Sequence, residues 1–401
     1  MRPFRETIAV EDAKALALEA ASPVDRSERI ALRDATGRVL ATSAASAIDV
    51  PPFDRAAMDG YAVVAGDTFG ASRDCVKTLR LVHTSYSGDA PAQAIASGEC
   101  VEIATGAPLP DGADAVVMVE ETEKTTEGVR IFTPVYPGQH VGRRAADISK
   151  GQTVVASGSV LNAGSIGALA AVGTTTIEVI ARPHVAILST GNEIIEPGQP
   201  LGPGQIYNIN RFTLTSIIET HGGTVSAVDT VVDTLADLVE AICRNAAADL
   251  IVFSGGSSVG ERDLMLDAVR QTGEVIFHGI AVKPGKPTLL GKVGSTPVLG
   301  MPGNPTSCLS NAYLLVIPML RQMARLPPYE PPTIHVPLAR RIVSTTGRHQ
   351  FFTVRVVDGS AIPAFKGSGD ITSMAHADGY IEIPAQTDIV EAGEMVKVKL
   401  F

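Results

Sequence analysis

The spacing of apolar residues changes several times along the chain, and each change predicts a different kind of structure. Residues 7–21 place Ile8, Ala9, Leu16 and Leu18 at helical spacing, and Glu28 to Leu40 reads as a short strand and turn ending near Gly37. From Val50 to about Ala145 the pattern shifts to short β-type runs. YAVVA (61–65), TLRLVH (78–83), CVEIA (100–104) and AVVMVE (115–120) are separated by Gly, Pro and Asp clusters, which predicts a β-rich insert. Asn162 to Val172 then predicts a helix of small residues, with Asn162 as N-cap and Gly173 just past its end.

From His184 to about Arg325 strands and helices alternate, the signature of a parallel sheet covered by helices on both faces. HVAILS (184–189) leads through Thr190 and Gly191 toward a helix from Asn210. TVSAVDTVV (224–232) leads to a helix over 234–247 with Asp233 as its expected N-cap. DLIVFS (249–254) runs into GGSSVGERD (255–263) and a helix that Gly273 ends. VIFHG (275–279) precedes KPGKP (283–287), and PVLG (297–300) precedes MPGNP (301–305), which opens a helix reaching Met323. After the proline-rich LPPYEPP (326–332), the runs HVPLA, FFTVRVV, YIEI and VKVKL read as an all-β tail.

Composition narrows the class. At 401 residues, with 45% hydrophobic and 19% charged residues, the chain is a multidomain globular protein rather than a disordered one. Its net charge is −10, with no basic block, so it lacks the positive footprint that nucleic-acid binding needs. Cys75, Cys100, Cys243 and Cys308 lie far apart with no CxxC or Cys/His spacing, which argues against structural zinc or a disulfide framework. Glu6, Glu11, Asp12 and Lys14 stand where a secretory leader needs an apolar run. The longest apolar stretch, Ala312 to Leu320, is too short for a membrane span and contains Pro318. The cytoplasm is the expected location.

The loops after the strands carry the candidate chemistry, since ligands of such sheets bind beyond the carboxyl ends of strands. Ser189-Thr190-Gly191 and Ser254-Gly255-Gly256-Ser257-Ser258 can turn backbone N–H groups toward a phosphate. A plain strand-to-helix turn would read the same way. Neither GxxxxGK[ST] nor a GxGxxG fingerprint after a strand is present. Lys283 and Lys286 flank a Pro-Gly turn that holds two ammonium groups near each other for an oxyanion, with Pro287 stiffening the exit. Pro302, Gly303, Asn304, Pro305 and Ser307 combine a constrained turn with a helix start.

Carboxylates recur beside turns at Asp59, Asp114, Asp147, Glu193, Asp233 and Asp263. Such hard oxygen ligands suit Mg2+, which keeps several waters and bridges carboxylates to phosphates. Taken singly each also fits a turn or cap, Asp233 and Asp263 most of all. Ser189, Ser254 and Ser307 have no signature pairing with a base and no HExxH occurs, so covalent catalysis is not expected.

Together the motifs PPFDRAAMDGYAV (51–63), ATGAPLPDGADAVV (104–117), RRAADI (143–148), STGNE (189–193), GQIYNIN (204–210), SGGSSVGERD (254–263), KPGKP, MPGNPTS (301–307) and GSGDITSMAHADGY (367–380) resemble the molybdopterin molybdenumtransferase family, the bacterial molybdenum insertases related to the C-terminal domain of gephyrin. The resemblance implies a multidomain α/β plus β fold. Its parts are a helical linker region (1–50 and 146–182, with 27–45 expected to pack with the α/β domain), an inserted β-rich domain (51–145), a doubly wound molybdopterin-binding α/β domain (183–326) and a C-terminal β-barrel (327–401). It implies a homodimer that takes adenylylated molybdopterin from an adenylyltransferase. With Mg2+ and molybdate it hydrolyses that substrate, releases AMP as molybdenum enters, and serves molybdoenzymes or their chaperones, with no membrane or nucleic acid involved.

Carried residue by residue, the resemblance implies catalytic roles for Asp59, Thr105, Asp147, Glu193, Asp233 and Asp263, with Asp59, Glu193, Asp233 and Asp263 as Mg2+ ligands. It implies substrate binding by Ser189, Thr190, Gly191, Ser254, Gly255, Gly256, Ser258, Lys283, Lys286, Pro287, Pro302, Gly303, Asn304, Pro305 and Ser307, and molybdate contacts by Arg348 and Ser373. Three positions depart from the family pattern. Ser257 replaces the common Val, Asn192 replaces the frequent Asp, and Thr353 stands where a basic residue is expected, leaving Arg348 or Arg355 to meet molybdate. Two other readings compete with metal insertion: a molybdopterin adenylyltransferase, disfavoured by the insert and β tail, and a non-catalytic molybdopterin carrier or scaffold, disfavoured by the retained acids.

Overall fold

A computed structural model describes residues 7–255 and 263–401. The chain divides into two compact units, one comprising Met1–Glu28, Gly37–Val39 and Val179–Phe401, the other Arg29–Thr36 and Leu40–Glu178. This division differs from the expected linker. Helix α1 (Val10–Ala20) buries Val10, Ala13 and Ala17 in the same core as Leu320 and Met323, so the N-terminal stretch belongs with the α/β unit. Of 27–45, residues 29–36 and 40–45 fall in the other unit.

The smaller unit is built on a six-stranded sheet. Its strands are β1 (Gly60–Val63), β2 (Lys77–Ser85), β3 (Glu99–Ile103), β4 (Ala115–Met118), β5 (Thr122–Lys124) and β6 (Val129–Ile131), in the order β4-β1-β3-β2-β6-β5. Strand β1 is antiparallel to both neighbours, whereas β2 runs parallel to β3. Alternation sends Tyr61 and Val63 into one core and Ala62 into another, the two-sided burial of a central strand. Helix α2 (Ala163–Ala171) starts where Asn162 accepts from the Ser165 N–H at 2.9 Å and ends at Gly173 with φ +81°.

The larger unit contains β7 (His184–Thr190), α3 (Ile209–Thr220), β8 (Thr224–Val231), α4 (Leu235–Arg244), β9 (Leu250–Ser254), α5 (Leu264–Thr272), β10 (Glu274–His278), β11 (Val282–Lys283), β12 (Leu289–Val293), β13 (Thr296–Met301), α6 (Pro305–Asn311) and α7 (Ile317–Met323). The sheet order is β8-β7-β9-β13-β12-β10. Val185, Ile187 and Val252 face α1, α3, α6 and α7, while Ala186, Leu188 and Phe253 face α4 and α5, so the sheet is covered on both sides. The sheet is mixed rather than wholly parallel, because β12 runs antiparallel to both β13 and β10. The β12–β13 hairpin turns at Gly294 with φ +60°, and its first strand lies in a stretch between KPGKP and PVLG for which no element was expected. Reversing β12 returns β10 to the common direction, so KPGKP still lies at the same end of the sheet as the other candidate loops.

A π-helical turn, Ala312–Val316, joins α6 to α7. Pro318 has no N–H to bond Leu314 and its ring crowds that carbonyl, so the widened turn carries the helix past it. The C-terminal sheet consists of β14 (Thr333–Pro337), β15 (His349–Val357), β16 (Ser360–Pro363), β17 (Gly379–Ile383) and β18 (Met395–Leu400), ordered β11-β15-β17-β18-β14 with β16 on β15. Its apolar face buries Val354, Ile381, Ile383 and Val398.

Candidate functional site

In the larger unit three of the candidate loops meet at the carboxyl ends of β7, β9 and β13. Gly255 has φ +107°, and a Cβ there would lie 2.3 Å from the Thr190 carbonyl oxygen, a position only glycine can fill. Its N–H reaches the Met301 carbonyl at 3.2 Å. A Cβ on Gly303 would touch the Gly255 Cα at 3.4 Å. Asn210, in the first turn of α3, donates to Ser254 Oγ at 2.6 Å and to the Gly303 carbonyl at 2.8 Å. Two turns from different strands are thus fixed by one buried amide. Asn208 caps α3 through the Arg211 N–H and donates to Ser189 Oγ at 3.0 Å. From sequence Asn210 was marked only as a helix start and Asn208 not at all; the signal was two asparagines two residues apart in YNIN at a helix start.

KPGKP is held from two sides. Lys283 Nζ donates to Thr345 Oγ1 at 2.7 Å, and β11 pairs in parallel with His349 and Gln350 of β15. Asn311, fully buried at the end of α6, donates to the Gly285 carbonyl at 2.9 Å and to Thr288 Oγ1 at 2.6 Å. Pro284 and Gly285 are buried, Lys286 and Pro287 half-buried, and Lys283 exposed. Asn304, next to the exposed Gly303, donates to Ser368 Oγ at 3.0 Å. Pro302 and Ser307 are buried, and Pro305 occupies the first turn of α6, where its missing N–H costs nothing. The Cys308 thiol under this site is pushed up to about 12 by burial, outweighing a hydrogen bond to Ser254, so it stays protonated and is no nucleophile.

The acids of this unit differ in availability. Glu193 is exposed, its carboxylate folded back over Gly191. Asp233 does not cap α4. Thr234 does, accepting from the Asp237 N–H at 3.2 Å, because its hydroxyl sits one residue nearer the first turn. That frees the Asp233 carboxylate, whose Oδ1 is buried without a hydrogen-bond partner among the described residues. Asp263 does cap α5 through the Leu266 N–H at 3.1 Å, and its other oxygen lies 3.0 Å from His278 Nε2. Gly256, Ser257 and Ser258 lie outside the described residues.

The molybdate candidates sit apart in character. Arg348 is half-buried, whereas Ser373 is fully buried and accepts from the Lys366 N–H at 3.0 Å. Thr353 is buried in β15 with no partner for its hydroxyl among the described residues.

In the smaller unit Asp59 precedes β1 and accepts from the Thr105 N–H at 2.7 Å and the Thr105 hydroxyl at 2.8 Å. These two bonds, the backbone one first, hold its carboxyl below the usual range. Asp147 is exposed, and its carboxylate has no hydrogen bond or ion pair among the described residues. It follows Ala145, a non-glycine residue at φ +60°. The arginines before it are tied down, Arg143 to Asp54 at 2.9 Å and Arg144 to Asp49 at 2.6 Å.

Three family models match in sequence order: the MoeA N-terminal region (domains I and II) over 8–173, the "Probable molybdopterin binding domain" over 186–322, and the MoeA C-terminal region (domain IV) over 335–401. The chain is 34% identical to molybdopterin molybdenumtransferase 2 of Mycobacterium tuberculosis over 381 residues, covering 92% of this chain and 94% of that protein. The chain belongs to the molybdopterin molybdenumtransferase family. The Haemophilus influenzae molybdopterin molybdenumtransferase is 31% identical across 98% of both chains. The crystal structure of a molybdopterin biosynthesis MoeA protein from Pyrococcus horikosii superposes with a TM-score of 0.86 at 38% identity, covering 98% of this chain and 99% of that one. Family membership assigns the αβ region of the larger unit to molybdopterin-binding domains and leaves the individual side chains to be judged on their geometry. Among the described residues no helix is long and apolar enough to cross a membrane.

Proposed function

We infer that this chain is a molybdopterin molybdenumtransferase, the enzyme that inserts molybdenum into molybdopterin during molybdenum-cofactor biosynthesis. The observation that carries this reading within the larger unit is the junction of Thr190, Ser254–Gly255 and Gly303, locked by Asn210, inside a chain related over nearly its whole length to enzymes of that name. The proposed substrate is adenylylated molybdopterin, with molybdate as metal donor and AMP as leaving group. Loop N–H groups at Gly191 and Gly303, with Lys283 and Lys286, would orient the phosphate and molybdate oxyanions without reorganising during the reaction, while Gly255, its N–H bonded to the Met301 carbonyl, lets the turns approach closely. Ser189, Thr190, Ser254 and Ser307 line these turns, and Pro287, Pro302 and Pro305 stiffen them. Arg348 is the better molybdate contact of the two C-terminal candidates, since it is half-buried whereas Ser373 is fully buried.

The donor set fits Mg2+. Among the described residues no three His, Cys, Asp or Glu side chains cluster as an all-protein metal site. Mg2+ needs only one or two carboxylates beside substrate phosphates and water, and the buried Asp233 Oδ1, without a partner among the described residues, and the exposed Glu193 carboxylate would supply them. Asp263, committed to its helix cap and to His278, serves better to fix the loop end than to ligate. When bound, Mg2+ would neutralise charge that builds on the pyrophosphate. Asp59 with Thr105, and Asp147, are proposed to take part in catalysis, Asp59 as a fixed carboxylate. We further propose that the protein works as a homodimer with a C-terminal barrel module, receives its substrate from an adenylyltransferase and passes its product to molybdoenzymes or their chaperones.

The deciding experiment incubates the purified protein with adenylylated molybdopterin, Mg2+ and molybdate, following AMP release and formation of active cofactor. Release of both products supports the insertase. Tight substrate binding with neither product would replace it with the carrier reading.

A further inference from the structure

We propose that a cleft in the smaller unit binds the amino-bearing edge of a bicyclic nitrogen heterocycle, an aminopurine or an aminopterin, with Glu102 and Ser85 as the recognising groups. The cleft has a volume of about 160 Å³ and is lined by Asp59, Tyr61, Ser85, Tyr86, Glu102 and Val119. Pockets for drug-sized ligands hold roughly 300 Å³ or more, so this one accepts a single ring system and not a whole nucleotide-like molecule. Its walls suit a flat ring. Tyr61 is buried on β1, and Tyr86 and Val119 are exposed apolar surfaces at its edge.

Its polar groups define the ligand edge. Ser85 is 1% exposed, at the end of β2 opposite Ile103 of β3, and its Oγ has no hydrogen-bond partner among the described residues. An unmade hydrogen bond on a buried hydroxyl is costly, and a ligand that supplies it removes the cost. Glu102 Oε2 accepts from Lys124 Nζ at 2.6 Å and lies 3.4 Å from Thr84 Oγ1, while Oε1 has no partner among the described residues. A carboxylate only accepts, so the free oxygen selects a ligand group that donates a hydrogen, N–H or O–H. Lys124 already offsets its charge, which disfavours a simple cation, and no three metal-ligating side chains cluster among the described residues. The Asp59 carboxylate, occupied on Oδ1 by Thr105, adds a second acceptor at the rim. What remains is a neutral, flat, donor-bearing ring, and an exocyclic amino group beside ring nitrogens meets both Glu102 and the hydroxyl.

The inference rests in part on the insertase reading, whose substrate carries both ring types, but its test is separate. Binding of AMP, of purine riboside 5′-monophosphate, which lacks only the amino group, and of free pterin to the full chain would be measured by titration calorimetry. The expected result is that AMP or pterin binds, and that loss of the amino group or Glu102→Gln weakens binding about tenfold, the size of one hydrogen bond to a charged group. Ser85→Ala should weaken it less, and Glu123→Gln, on the neighbouring exposed surface, should change nothing. Thermal melts confirm that each variant is folded. AMP binding alone assigns the cleft to an aminopurine, pterin binding alone to the pterin. Equal affinity for AMP and purine riboside monophosphate without pterin binding, insensitivity to Glu102→Gln, or no binding of either ring would overturn the proposal. Normal molybdenum insertion alongside any of those results sinks only the cleft, whereas amino-group discrimination without turnover sinks only the insertase reading.

Discussion

The two units hold their candidate side chains in opposite ways. In the larger unit the loops after β7, β9 and β13 are locked by buried asparagine amides and by glycines that no other residue can replace, and the acids there include one with an oxygen left buried and unpaired among the described residues. In the smaller unit, among the described residues, Asp59 stands exposed with its carboxylate fixed by Thr105 alone, and Asp147 is unpaired at the surface. The first arrangement suits the holding of oxyanions in a preset frame, and the second suits a carboxylate kept ionised and accessible. A frame is damaged through its packing, an accessible carboxylate through its charge, and each kind of damage has its own readout.

The largest effects are expected where charge is removed. Asp59→Asn and Glu193→Gln should each lower the rate of AMP release by about a thousandfold while leaving the melting temperature within a degree or two, since both side chains are exposed. Wild-type rates in both would remove the acidic site from the mechanism. Gly255→Ala should act the other way, through the frame. Its Cβ meets the Thr190 carbonyl at 2.3 Å at φ +107°, so a loss of about 3 kcal/mol in stability is expected. Gly106→Ala, at φ +87° beside Thr105 with its nearest neighbour 3.4 Å away, should cost about 1 kcal/mol. Equal losses by chemical denaturation would erase the proposed contrast in rigidity.

Much of this was legible in the sequence. The strand runs HVAILS and DLIVFS, the Asn162 and Asp263 caps and the turn glycines were read correctly because each is a local choice of residue. The reversed β12 was not, because a short apolar run carries no mark of strand direction. The Asp233 cap was misplaced by one residue, since Asp and Thr are both good caps, Asp the better, and the backbone decides between them. At the site, the glycine and proline loops were legible as turns, but the amides of Asn210 and Asn311 that join them act across distant parts of the chain. No spacing rule reveals those.

Acid offers a finer test of the same contrast. Glu382 on β17 is held at about 2, below its ordinary value of 4.5. His349 lies 3.0 Å away on β15, Lys399 2.5 Å away on β18 and Lys14 3.7 Å away on α1, with the Tyr380 ring nearby. Burial alone would raise it, and these hydrogen bonds and cations outweigh that. A depressed carboxyl stabilises the fold above the unfolded value and loses that stabilisation as pH falls toward the folded one. Glu382→Gln should therefore cost about 2 kcal/mol at pH 7 and flatten the decline in stability of the larger unit between about pH 4.5 and 2. Unchanged acid sensitivity in the variant would show that the cluster contributes nothing.

The smallest effect should come from Thr105→Val, which removes one of the two bonds to Asp59 and keeps the backbone N–H, the larger influence on its ionisation. The Asp59 carboxyl then rises toward its ordinary value. If the ionised form is the working one, the acid limb of the rate profile moves to higher pH, and the rate at neutral pH falls only a few-fold, as for the loss of one hydrogen bond at an exposed site. Thr105→Ser should restore both. A carbon-13 NMR titration of the Asp59 carboxyl separates the two links: a raised titration midpoint with an unmoved acid limb would mean that Asp59 ionises as described but does not limit the reaction. An unmoved midpoint would mean that the backbone N–H alone fixes the carboxylate, leaving the threonine hydroxyl a role only in shaping the loop between Ala104 and Gly106.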